Sequence, residues 1–128
     1  MQTIVPSASA AASFLGEFDP MHAGAIHDAG NMVFEGHEAY RMGLELLGPY
    51  LAHVHLKNAR WVRDDRAGWY PEFAPLRDGA VDVRALFEAL AAVDYDGWVS
   101  FEDFSTAQPL LERTRDNLAY AKSVLPGV

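Results

Sequence analysis

Three residues able to bind a cation stand at the ends of three short apolar runs. Asp28 follows Gly24 to Ile26, His55 lies in Leu51 to Leu56, and Glu102 follows Trp98 to Phe101. A carboxylate, an imidazole and a second carboxylate form a hard-to-borderline donor set. It suits Mn²⁺, Mg²⁺, Co²⁺ or Zn²⁺ and does not suit soft metals. Side chains alternate faces along a strand, so Ile26 with Asp28, His53 with His55, and Ser100 with Glu102 share a parity and could converge on one point. By spacing alone the pattern is unspecific, and each residue has a second reading. Asp28 before Ala29-Gly30-Asn31 is equally a turn residue. His53 and His55 each read as core histidines with satisfied ring nitrogens, and Glu102-Asp103 reads as the start of an exposed loop.

The elements that must position these residues follow from periodicity. Pro6-Ser7 opens a helical pattern in which Ala11, Phe14, Leu15 and Phe18 recur at i, i+3, i+4 and i+7. Gly24 to Ile26 reads as a short buried strand. A helix is expected over roughly Glu38 to Leu47, stopped by Gly48-Pro49, and a strand over Leu51 to Leu56. Residues 57 to about 81 show no clear period and read as a long connection, of the kind that is functional or mobile. Asp82 is an N-cap for a helix with Val83, Leu86, Phe87 and Leu90 on one face. Asp96-Gly97 turns into the strand Trp98 to Phe101. Pro109 sits near the start of a last helix lined by Leu111, Leu118, Ala121 and Leu125 and ended by Pro126-Gly127. Strands alternating with helices favour βα units and a parallel sheet. Three parallel strands with two open edges need a covering partner.

Composition narrows the function classes. The chain has 128 residues, half of them hydrophobic, and suits a single domain over 1–128. Its net charge of −8 disfavours nucleic acid and anionic membranes, and Arg60, Arg63 and Arg66 are interleaved with Asp64 and Asp65 rather than forming a basic patch. No cysteine is present, which excludes disulfides and thiolate chemistry and is compatible with the cytoplasm. No apolar run approaches the roughly 18 residues of a membrane span. Ala8 to Leu15 lacks the basic flank of a signal peptide, because no Lys or Arg precedes Arg41.

The wording of the segments is more specific than their chemistry. His27-Asp28-Ala29-Gly30-Asn31-Met32 resembles a D-x-x-N/H-M segment, Ala52-His53-Val54-His55-Leu56-Lys57-Asn58 an H-V-H-x-K-D strand, and Asp78-Gly79-Ala80-Val81-Asp82 through Tyr95, Gly97 and Phe101-Glu102 a G-x-V-D … Y-x-G … E run. In this order they resemble strands six, seven and eight of the sugar phosphate isomerase/epimerase family, whose members are xylose-isomerase-like (β/α)8 barrels. A whole barrel needs about 250 residues, so the resemblance implies an α/β fold that is part of a barrel, its C-terminal half, with about three parallel strands and their helices.

The resemblance also implies roles. Asp28, His55 and Glu102 fall on the family's ligands to a divalent metal, and its remaining ligand, a Glu ending strand five, has no counterpart, since Met1-Gln2-Thr3-Ile4-Val5-Pro6 resembles the loop just after that strand. The metal would polarise sugar oxygens and stabilise an enediolate, with Glu102 carrying a proton between adjacent carbons. Asn31, His53, Lys57 and Trp61 would lie against the substrate, a sugar or sugar phosphate. Trp61, Trp69 and Tyr70 would roof a sugar or equally cover the rim or a subunit contact. Two positions depart from the pattern: Asn58 stands for an Asp, and Arg77 for a Gly, which weakens the case for a backbone phosphate site. The expectation is weak metal binding and little activity from this chain alone, completed by self-association or by a complementing chain. A non-catalytic docking module, and a dehydratase or endonuclease on the same barrel, are the alternatives.

Overall fold

The computed structural model describes residues 4–106 and 108–125. Its elements are α1 (Ala8–Leu15), β1 (Ala25–Asp28), α2 (Ala29–Glu35), α3 (Tyr40–Leu47), a 3-10 turn (Gly48–Tyr50), β2 (Leu51–Leu56), β3 (Asn58–Asp64), β4 (Gly68–Ala74), α4 (Val83–Ala92), β5 (Val99–Phe101) and α5 (Leu110–Val124). Strands β1, β2 and β5 form a parallel sheet in the order β1-β2-β5, and β3 and β4 pair antiparallel as a separate hairpin. Among the described residues, the outer edges of β1 and β5 carry no neighbouring strand.

The parallel sheet has two unlike faces. Val54 and Leu56 point into a core shared with Leu44 of α3, Leu86 and Leu90 of α4, and Ala121 and Val124 of α5. Ile26, Asp28, His53, His55 and Ser100 alternate with this buried set, as a period of two requires. Register places Ile26 opposite His53, Asp28 opposite His55, and His55 opposite Ser100. The Glu102 amide donates to the Leu56 carbonyl at 3.0 Å, which carries the β5 alignment one residue further.

The expected strand at Leu51 to Leu56 and the helix capped by Asp82 have the bounds and face read from sequence; the Asp82 side chain accepts from the Ala85 amide. Four expectations are corrected. The apolar stripe of the first helix is not Ala11, Phe14, Leu15 and Phe18. Ala8, Ala11 and Leu15 are buried, while Phe14 is 59% exposed and stacks on Phe18, which lies beyond the helix. Small residues win because α1 lies close on α3, where a Cβ at Gly43 would come within 2.9 Å of the Ala8 Cβ.

Residues 57 to 81 are no unstructured connection: they contain the β3–β4 hairpin, turned at Asp65-Arg66-Ala67 with Gly68 at φ 77°. Immediately after β1, the chain forms the short helix α2 where only a strand end was expected. Of the residues expected to line α5, Ala121 is buried, but Leu111, Leu118 and Leu125 are exposed, and Asn117 and Val124, one position before Leu118 and Leu125, face inward instead. The rotation follows the hydrogen bonds of Asn117, which donates to Asp103 at 2.7 Å and accepts from the Leu76 amide at 3.4 Å. The expected stop at Pro126-Gly127 and the opening Met1-Gln2-Thr3 lie outside the described residues.

Candidate metal centre

Asp28, His55 and Glu102 come from the C-terminal ends of β1, β2 and β5. One donor atom of each lies within 4.8 Å of the others. His55 Nδ1 stands 3.5 Å from Asp28 Oδ2 and 3.5 Å from Glu102 Oε2. The geometry follows from the sheet: Asp28 and His55 are register partners, and Glu102 continues β5 beside β2.

Asp28 divides its carboxylate between two tasks. Oδ1 accepts the Asn31 amide at 3.0 Å and caps α2, satisfying one of the amides that a helix start leaves free. Oδ2 is buried and accepts no aligned hydrogen bond, although Lys57 Nζ lies 2.8 Å away as an ion pair. The turn reading and the ligand reading of Asp28 are therefore compatible, one for each oxygen. A buried carboxylate oxygen without an aligned donor, facing an imidazole nitrogen and a second carboxylate, fits a divalent cation by its donor chemistry.

Lys57 is only 2% exposed and ion-pairs with both Asp28 and Glu102. A buried charge is tolerated when it is paired in this way. Gly30 makes that burial possible: a Cβ there would come within 2.7 Å of Lys57 Cγ and 2.8 Å of its carbonyl group, so the first turn of α2 rests directly on Lys57. The ammonium also lies 5.1 Å from the ring centroid of Phe104 and 5.7 Å from that of Phe73, within cation–π range. Its hydrogen bond holds the Glu102 carboxyl below the usual carboxylate range, assisted by the positive field of Lys57 and by His55, against partial burial.

Of the residues expected at the substrate, His53 adjoins the cluster. Its ring meets His55 edge-on at 5.2 Å, and Nε2 is 2.8 Å from Ser100 Oγ. Asn31 lines a cleft of about 340 Å³ with Asp28, His27 and residues of α1. Lys57 lies between the carboxylates, as described. Trp61 is elsewhere, half-exposed in a second cleft with Phe34, His37 and Ala80.

Sequence reasoning missed Phe73 and Phe104, the rings over Lys57. Phe104 is two residues past Glu102, and Phe73 lies in the segment without a visible period. It also missed the task of Asn58, which is structural. Asn58 Nδ2 donates to the carbonyls of Leu76 and Val81, and Oδ1 accepts from the amides of Ala59 and Val81. An aspartate could not make the two donations, so the departure from the family pattern has a local reason. Arg77, the other departure, lies over the Tyr120 ring at 5.3 Å. His27, buried with no hydrogen bond on either ring nitrogen, faces Tyr40 edge-on; burial pushes its imidazole below its ordinary value, opposed by Asp28 and Glu38.

Comparison with known proteins identifies the fold. The sequence model of the xylose isomerase-like TIM barrel family matches residues 1–124. An inosose dehydratase from Geobacillus thermodenitrificans is 31% identical over 99 residues, which is 67% of this chain and 32% of the relative. The 3-keto-D-glucoside 4-epimerase of E. coli superposes with a TM-score of 0.69 at 25% identity, over 95% of this chain and 41% of that one. A xylose isomerase-like TIM barrel protein from Mycobacterium smegmatis, solved in complex with magnesium, gives 0.71 at 23% identity, over 97% of this chain and 41% of that one. The chain spans 32% of the length of that dehydratase and less than half of those two structures. With its parallel strands, its helices and a match that runs over nearly its whole length, the chain belongs to the xylose isomerase-like TIM barrel family.

Proposed function

We propose that this chain is the part of a metal-dependent sugar isomerase or epimerase that corresponds to barrel strands six to eight. One observation carries the reading: three hard-to-borderline donor atoms, from three adjacent parallel strands, lie within 4.8 Å of one another at the strands' C-terminal ends. In barrels of this class chemistry is done at that end. Asp28, His55 and Glu102 would hold a divalent ion such as Mn²⁺, Mg²⁺, Co²⁺ or Zn²⁺. When bound, the ion supplies Lewis-acid stabilisation of a negative charge developing on sugar oxygens. Water and substrate oxygens would complete the coordination.

The side chains have separable tasks. Glu102, whose carboxyl Lys57 holds low in the ion-free site, accepts the proton from the carbon next to the sugar carbonyl. Isomerisation delivers it to the former carbonyl carbon while the hydroxyl proton passes to the other oxygen, and epimerisation returns a proton to the opposite face of the same carbon. Asn31 and His53 hydrogen-bond sugar hydroxyls, and Lys57, once displaced from the carboxylates, turns its ammonium towards a sugar oxygen. Trp61 contacts substrate only from the second cleft, with a longer substrate or a different hairpin position.

Mn²⁺ titration of the purified chain by calorimetry tests the centre. Saturable binding is expected in the wild type and its loss in Asp28→Ala and in His55→Ala; binding unchanged in both variants rejects the site. The likeness to inosose dehydratase favours a second reading, in which the same proton abstraction is followed by loss of water. A sugar ketone incubated with the metal-loaded protein in D₂O separates the two. Epimerisation exchanges the α-hydrogen and preserves mass apart from deuterium, whereas dehydration removes 18 Da, the mass of one water. The edges of β1 and β5, which have no neighbouring strand among the described residues, favour a further reading, a module docking on a complementing chain, and in that case neither change is seen without the partner.

A further inference from the structure

Lys57 touches the two carboxylate oxygens that the proposed ion needs. Its ammonium is 2.8 Å from Asp28 Oδ2 and ion-paired with Glu102 Oε2, the same atoms that stand 3.5 Å from His55 Nδ1. A divalent ion coordinated by an oxygen lies about 2.0–2.2 Å from it. An ion on Asp28 Oδ2 is then no more than about 5 Å from Nζ in its present position. Two cations so close in a partly buried site repel each other strongly. The Phe104 and Phe73 rings already lie 5.1 Å and 5.7 Å from the ammonium in this paired position, so they can hold it when it leaves the carboxylates. The stem is pinned where Gly30 approaches Lys57 Cγ, so any displacement of the ammonium is confined to the head group, towards those rings.

We propose that Lys57 is a tethered competitor of the metal. Its ammonium and the divalent ion exclude each other from the Asp28 Oδ2–Glu102 Oε2 pair, and loading shifts the ammonium onto the Phe73–Phe104 rings. The lysine thereby tunes affinity downward and keeps the carboxylates paired when no ion is bound. This rests on the metal-centre reading above.

Mn²⁺ titrations at one fixed pH and ionic strength, on the wild type, Lys57→Met, Phe104→Leu and the double variant, test it. Lys57→Met is expected to bind about tenfold tighter or more, because a buried positive charge is removed from beside the ion. Phe104→Leu is expected to bind several-fold weaker in the wild-type background and to change nothing in the Lys57→Met background, since the ring acts only through the ammonium. If Lys57→Met binds equally or more weakly while wild-type binding still depends on Asp28, the lysine holds the ligands rather than competing, and the proposal falls while the metal centre stands. A Phe104→Leu effect of equal size in both backgrounds overturns the ring-docked state. Metal binding that is insensitive to Asp28→Ala in every chain removes both the proposal and the centre. Thermal melts accompany each titration, and Lys57→Gln carries the same reading should Lys57→Met fail to fold.

Discussion

In the chain only Lys57 separates β2 of the parallel sheet from β3 of the hairpin, yet sheet and hairpin are held by different means. The sheet is fixed by burial: Val54, Leu86 and Val83 are fully enclosed, and its helix-facing side merges into one apolar core. The hairpin buries little beyond Asn58, Ala59 and Ala74 at its root. It is joined to the body by three hydrogen bonds of Asn58, to Leu76 and Val81, and by the Phe73 ring against Phe34 at 4.9 Å and Phe104 at 5.1 Å. Further out, Arg60 pairs with Glu72 in solvent. Burial sets the position of the sheet; a polar anchor and the ring contacts of Phe73 set that of the hairpin. The candidate ligands all come from the first region, and Phe73, one of the two rings over the lysine, comes from the second.

The largest effect should come from the shared core. Leu86→Ala is expected to cost about 3 kcal/mol, read by urea denaturation, and to unfold sheet and hairpin together. Retention of native stability would mean that the core does not carry the sheet. Asn58→Ala is expected to cost about 2 kcal/mol, because it strips partners from buried backbone groups. It should also divide the molecule: amide exchange should quicken in β3 and β4 while β1 and β2 keep their protection. Equal loss in both regions would show that they are one cooperative unit. The smallest effect lies at the hairpin tip. The amides of Ala67 and Arg66 hold the exposed Asp64 carboxyl below its ordinary value of 3.8. A folded value below the unfolded one gives support that is present above pH 3.8 and lost as pH falls through the lower folded value. The Ala67 amide shift followed by NMR should therefore titrate below 3.8, and Asp64→Asn should abolish that titration.

The same contrast explains what was legible in the sequence. β2, with apolar Val54 and Leu56 alternating with histidines, and α4, with a capping Asp and four apolar residues on one face, announce themselves because burial writes a period into the chain. The hairpin was invisible because its alternation sets Arg60 against Glu72 and Trp61 against Pro71, so neither strand shows an apolar period. α2 was missed because Asp28 serves as strand end and helix cap at once, leaving no spacer residue between the two elements. The face of α5 was displaced by one position because a polar residue, Asn117, decides which side turns inward, and hydrophobicity could not reveal it. Parity along the strands was enough to put Asp28, His55 and Glu102 on one side of the sheet. That Lys57 would be buried among them depended on Gly30 and two phenylalanines distant in sequence, which no local pattern links.

The divided carboxylate of Asp28 has one more consequence. Its two oxygens belong to one rigid planar group, so a single side-chain torsion orients both. Whatever grips Oδ2 also steadies Oδ1 over the Asn31 amide, and whatever frays the opening turn of α2 loosens the hold on Oδ2. An ion held at Oδ2 would be thermodynamically linked to the order of that turn, and a spectroscopic label near Val33 would report one through the other.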